Sequence, residues 1–414
     1  MKKMTALLLS AAMAVSLVGC SGQGASSGPS SSAAPSASEA ATAASAEGEA
    51  KTTAEVTTAA GTEAAEMTID EMIDNLDHDI SIGICLFSYS NNWCSWQRNA
   101  MLNWFDQHAD NSHISYFMAD GQNDQAKQND AVDTMLARGI DVLICYVVQS
   151  TGASAIAQKC EAAGVPVIFL NTKVDAASLE DYERTWFIGA NNEDKANLQM
   201  DMIFELLGNE EKFKDIDKNG DGKINMVYVQ GPPNEDMAIC YQTVQDRIAA
   251  SEYKDTLILL EQQNSNNSTA NAKEIAEAWV GKYGSDIELT LAHTDAQAAG
   301  AIAAYQASGL LSEKGGIYVL ASNCLPDAQV YIKDGIQYAS VLTDPWWQAT
   351  NCVKMALAAA MGNDKTYGNL LYGFDEDVKF SETSPKTVYI VLTGITKDNL
   401  DIAKEAYDKS TRKD

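Results

Sequence analysis

Short apolar runs that alternate with helix-period segments constrain this chain more than any other feature. ISIGICLF, ISYFM, VLICYVV, VPVIFL, INMVYV, TLILL, ELTLA, GIYVLA, YASVL and TVYIVL recur along it. Between them, residues 93–108, 124–137, 151–163, 192–207, 270–283, 295–308 and 345–361 repeat their apolar positions with a helical period. A strand that is apolar throughout has no face to give to water, so both of its faces must be covered. The intervening helices supply that cover, and parallel pairing follows. The expectation is an α/β fold of two doubly wound parallel sheets, one in each half. In such sheets ligands sit beyond the carboxyl ends of the strands.

The residues at those ends form a consistent set. SYSNNW follows the first run, Asn171 follows VIFL, and PPNED follows MVYVQG. HTD (293–295), Asn323 and Thr343-Asp344-Pro345 follow later runs. Amides, hydroxyls, carboxylates and a Trp suit a small polyhydroxylated ligand, whose hydroxyls need groups that both donate and accept and whose ring needs an aromatic cover. Singly, Asn and Thr after a strand are ordinary turn or cap residues. Trp93 also shares a helix face with residues 96, 100 and 104, which is a core pattern.

The N-terminus sets the compartment. Lys2 and Lys3 precede ALLLSAAMAVSLVG, which is too short to span a bilayer. Leu17-Val18-Gly19-Cys20 resembles a bacterial lipobox, which implies cleavage before Cys20 and lipid on the new terminus. Residues 21–77 are read as a tether, nearly all Ser, Ala, Thr, Gly, Pro and Glu as far as residue 66. The chain is then expected outside the cell membrane, held there by its lipid. Seven cysteines follow Cys20 at scattered spacings without a C-x-x-C, which reads as buried thiols rather than a disulfide framework. A net charge of −28 with no basic patch excludes nucleic acid as a partner.

DKNGDGKIN, 217–225, has the start of an EF-hand loop. Asp217, Asn219 and Asp221 place oxygens at alternate positions and Gly222 permits the turn. Such a loop needs a bidentate Glu near residue 228, but Tyr228 stands there, inside a strand.

From about residue 80 to 410 the sequence resembles the periplasmic galactose/glucose-binding proteins of ABC sugar transporters. GQNDQAKQND, AAGVPVIFLN, DKNGDGKINMVYVQG, LPDA and TKDNL carry the likeness. The resemblance implies a type I periplasmic binding fold, two lobes joined by a three-strand hinge, that closes around a sugar. It implies a structural Ca²⁺ held by Asp217, Asn219, Asp221, the Lys223 carbonyl, Asn225 and, from a distant strand, Glu288. It further implies sugar contacts at Asn91, Trp93, Asn171, Asn267, Thr294, Asn323 and Thr343, with Asp236 or Tyr241 falling in the segment that carries an Asp and an Arg in that family. Several of the family's charged fixtures become neutral here, so a related monosaccharide, another pentose or hexose, or a nucleoside remains open. Trp346 and Trp347 are either a replacement stacking face or core.

By the family pattern the first lobe takes 78–190 and 345–391, and the second 191–344 and 392–414. The implied partners are a monosaccharide and a membrane permease, with the chain itself a monomer; a chemosensory receptor would use the same closure. G-x-S-x-G occurs at 24–28, inside the stretch read as a tether, and H-E-x-x-H, G-x-G-x-x-G and Walker A patterns are missing, so an enzyme is not expected and ATP hydrolysis belongs to another polypeptide.

Overall fold

A computed structural model describes residues 67–312 and 315–412; the signal segment, Cys20 and the tether as far as residue 66 lie outside the described residues. The chain begins with α1 (Ile69–Asp74), β1 (Ile80–Leu86), α2 (Asn92–Gln107), β2 (Ile114–Asp120), α3 (Gln125–Ala137), β3 (Val142–Cys145), α4 (Ala153–Ala163), β4 (Val167–Leu170), α5 (Ala176–Glu180) and β5 (Thr185–Gly189). It continues with α6 (Asn192–Gly208), α7 (Glu210–Ile216), β6 (Ile224–Gln230), α8 (Glu235–Ala250), β7 (Leu257–Asn264), α9 (Thr269–Tyr283), β8 (Leu289–Ala292), α10 (Asp295–Ser308), the short pair β9 (Leu311–Ser312) and β10 (Gly315–Gly316), β11 (Tyr318–Asn323), α11 (Pro326–Asp334) and β12 (Ala339–Thr343). α12 (Pro345–Met361), α13 (Asn363–Thr366), β13 (Thr387–Tyr389), β14 (Leu392–Ile395) and α14 (Leu400–Ser410) complete it.

Two six-stranded sheets result, ordered β13-β5-β4-β3-β1-β2 and β14-β12-β11-β8-β6-β7. The first is parallel throughout. In the second, β14 runs antiparallel to β12 while its other pairs are parallel. β3, β4 and β8 are buried along their whole length, which is why their sequences carry no polar alternation. β2 lies at the edge and exposes Tyr116 and Phe117. The chain passes between sheets after β5, after β12 and between β13 and β14, so each lobe is assembled from separated stretches. All seven described cysteines are buried and free.

Many polar residues at strand ends begin the next helix. Asn91, Asp124, Asn191, Asn234 and Asp344 each accept a backbone N–H of the following first turn. This satisfies donors that a helix start would otherwise leave open.

Two boundaries expected from the sequence are corrected. The tether, drawn to residue 77, stops short of α1. Thr68 and Glu71 form a capping box, Ile73 is fully buried, and Lys354 pairs with Asp70 at 2.7 Å. The amphipathic face of α1 therefore belongs to the first lobe's core. Residues 392–414, expected in the second lobe, divide: β14 joins the second sheet, but α14 packs on α2 and α12 of the first lobe as well as on α11 of the second. Ala403, Ala406 and Tyr407 supply the apolar stripe that lets it do so. Tyr407 sets its ring edge-on to Trp96 and donates its hydroxyl to the Asn323 carbonyl at 2.8 Å.

Candidate functional site

At the carboxyl ends of the first sheet, Asn171 is the centre of a polar network. Its backbone has φ +62°, a left-handed conformation that Asn tolerates better than most side chains. Its side-chain oxygen accepts the Trp93 indole N–H at 2.8 Å, and its amide donates to the Tyr146 hydroxyl at 2.6 Å. Gln97 and Gln348, both fully buried, join at 2.7 Å and approach the same oxygen at 3.5 and 3.4 Å. Burial holds the Tyr146 phenol well above its ordinary pKa, so it remains a neutral hydrogen-bonding group. Asn91 accepts the Cys94 N–H at 2.9 Å and so starts the helix that presents Trp93 and Gln97. Trp346 and Trp347 pack against the first lobe's core, and the Trp347 indole donates to Asp377 at 2.6 Å.

In the second lobe the site residues gather in two groups. Thr343 donates to the Asn323 side chain at 3.3 Å, where β12 and β11 end side by side. Asn323 has φ +93°. Asn267 accepts from Gln297 at 3.2 Å, and Thr294 donates its hydroxyl to the same Gln297 at 2.9 Å. Gly231 leaves room for the Asn267 side chain there: a Cβ would stand 2.7 Å from its oxygen and push it aside. Beneath them Asp295 accepts from Leu325 N, Ser340 Oγ and Gln337 Nε2 at 2.8, 2.9 and 3.1 Å. Burial pushes its carboxyl up to about 6. Thr294, rather than Asp295, forms the capping box of α10.

A third group spans the lobes. Asp236, in the first turn of α8, accepts from Asn192 at 3.4 Å and lies 3.7 Å from Lys173, two residues past Asn171. Behind it Lys195 meets His293 at 3.4 Å; both are buried, at 5% and 8% exposure. Tyr241 is not part of this group: it packs against the second lobe's apolar cluster with Met237 and Cys240.

The loop at 217–225 wraps itself around its own oxygens. Asp217 accepts from the backbone of Gly220, Asp221 and Gly222 at 2.8, 3.2 and 3.0 Å. Asn219 and Asp221 accept from Asp221 N and Lys223 N at 2.9 and 2.8 Å. Glu288, 1% exposed, accepts Lys218 N and Asn225 N at 2.9 Å each. Burial, helped by the nearby Asp217 charge, holds the Glu288 carboxyl above the usual range despite those two donors. No three His, Cys, Asp or Glu side chains among the described residues converge tightly enough to hold a metal. The donor set around this loop consists of carboxylate, amide and carbonyl oxygens, which is the chemistry of a hard cation.

The family model for the periplasmic binding protein domain matches residues 82–364, well over half of the chain. This chain is a periplasmic binding protein. Among its curated relatives is the D-galactose/methyl-galactoside binding periplasmic protein MglB of Haemophilus influenzae, 27% identical over 78% of this chain and 91% of that one. A putative rhizopine-binding protein of Rhizobium meliloti is 22% identical over 80% of this chain and 94% of its own length. In fold, the binding protein is similar to a solute-binding protein of an ABC transporter from Bacillus halodurans, solved with myo-inositol, at TM-score 0.63 and 21% identity, covering 80% and 100% of the two chains. Each of these is described as a binding protein and none as an enzyme, in line with the non-catalytic expectation. The two-lobed parallel-sheet architecture is the type I fold that the resemblance implied.

The sequence reading of this binding protein missed Gln97, Tyr146, Gln348, Lys173 and Lys195. Gln97 lies four residues past Trp93 on one helix face, and Gln348 four past Asp344, so the helical period held a usable signal for both. Lys173 and Lys195 lie in the strand-end and hinge-adjacent stretches, but a Lys there reads as surface until its burial is known.

Proposed function

We propose that this chain is the extracytoplasmic solute-binding lipoprotein of an ABC sugar transporter. It captures a galactose- or glucose-like monosaccharide between its lobes and delivers it to a membrane permease, acting as a monomer held to the membrane by lipid on Cys20. The reading is supported by three contacts: Trp93 with Asn171 at the strand ends of one lobe, Thr343 with Asn323 at the strand ends of the other, and Lys173 with Asp236 across the lobes. An indole beside amides and hydroxyls is the equipment for a sugar ring and its hydroxyls. The ligands of those two relatives, a galactoside and an inositol, support the same class. The 217–225 loop with Glu288 is proposed to take Ca²⁺ through the oxygens of Asp217, Asn219, Asp221, Lys223, Asn225 and Glu288, fastening the loop to β6 and β8. Thermal unfolding of the purified chain against monosaccharides, polyols, nucleosides and amino acids tests the ligand class. Midpoint shifts confined to sugars and polyols are expected; shifts confined to amino acids or nucleosides would overturn it.

A further inference from the structure

The second lobe buries a cation that the protein itself does not neutralise. Lys195 Nζ has one hydrogen-bond partner among the described residues, His293 Nε2 at 3.4 Å. It makes no ion pair among them; the carboxylate that acts on it electrostatically, Asp236, is engaged with Lys173 and Asn192. Among the described residues, Lys173 and Lys195 share the Asp236 carboxylate, and Glu193 also acts on the adjoining Cys240, in a protein whose net charge is −28. An ammonium can only donate, so the ring nitrogen facing Lys195 accepts and the ring proton sits on Nδ1. That Nδ1 is buried and has no partner. Burial and the Lys195 charge hold the imidazole neutral. Two ammonium protons are therefore unmet beside the interlobe contact, while the imidazole N–H, on the other side of the ring from Lys195, is unmet separately. Leaving such groups unpaired in a desolvated site is costly.

We propose that Lys195, held in place by His293, forms an acid-selective subsite, and that the preferred ligand is a sugar acid whose carboxylate the ammonium receives. This rests on the sugar-binding reading above and narrows it. A hydroxyl would accept from the ammonium without cancelling its charge. A carboxylate cancels it and offers two oxygens to the open donors.

The test is isothermal titration calorimetry of the purified chain with D-galacturonate and D-glucuronate beside D-galactose, D-glucose and myo-inositol. The acids are expected to bind roughly tenfold or more tightly than their neutral counterparts, the scale of one charge-assisted hydrogen bond. Lys195→Met should abolish that preference, bringing acid and neutral affinities level, and Lys195→Arg should retain part of it. Should Lys195→Met fail to fold, the wild-type ratio of acid to neutral affinity decides alone. Neutral sugars binding as tightly as the acids, or an unchanged acid affinity in a folded Lys195→Met, would overturn the subsite and leave the sugar reading standing. Binding of neither class would overturn both.

Discussion

Lys173 Nζ in the first lobe lies 3.7 Å from Asp236 Oδ1 in the second, so one pair of side chains joins the two walls of the cleft. Lys173 is 40% exposed and Asp236 25%, which keeps the pair within reach of solvent screening. Lys173→Ala is therefore expected to weaken ligand binding by no more than about fivefold, the range of an exposed ion pair. The loss should shrink at high salt. Asp236→Ala should cost more, because it also releases Asn192. Calorimetric titration at low and high salt checks both; a large, salt-independent effect of Lys173→Ala would mean that this lysine contacts ligand directly.

Asn171 ties Trp93, Tyr146 and Gln348 together through one amide. Removing it leaves buried donors and acceptors without partners, at about 1–3 kcal/mol. Asn171→Gly is the informative variant, since glycine keeps the φ of +62° without strain. The expected result is a stability loss of that size in urea unfolding, together with loss of ligand-induced stabilisation.

Glu288 gives a calcium prediction with a definite sign. Its folded-state pKa is raised, so the folded protein holds the proton more tightly than the unfolded chain. Metal-free protein then loses this contribution as pH rises out of the ordinary carboxylate range. Calcium, which needs the ionised form, should restore it. Added Ca²⁺ is expected to raise the melting midpoint at neutral pH, a chelator to reverse the shift, and Glu288→Gln to remove most of the response. A melting curve indifferent to both additions would remove calcium from this loop.

Asp295 titrates in the same sense at a lower-lying site in the lobe. Its carboxyl moves from 3.8 to about 6 through burial. Stability from this group is present below the unfolded pKa and is lost as pH rises through 6, on the order of 3 kcal/mol for a two-unit shift. Asp295→Asn should flatten the stability profile over that window relative to wild type, as followed by denaturant unfolding at a series of pH values.

The sheets were legible from the sequence because a strand buried on both faces leaves an unbroken apolar run, as in β3, β4 and β8. Strand-end position singled out Asn171, which receives the Trp93 indole, and Asn323 and Thr343, which bond to each other. What sequence position could not convey is how each polar atom is used. Asn91 and Asp344 cap helices, and Thr294 engages Gln297. Tyr241 turned toward the core because α8 presents Met237, Cys240 and Val244 on the same side, a period visible only once the helix start is fixed. Lys195 escaped notice because its burial depends on His293, 98 residues away.

β13 pairs with β5, and α14 lies on helices drawn from both lobes. The first lobe is therefore unfinished until nearly all of the chain has been made, and the last helix is what fastens it to its neighbour. Removing α14 would reach far beyond the helix itself: it would strip cover from α2, loosen the Asn323 turn, and take away packing that the two lobes share.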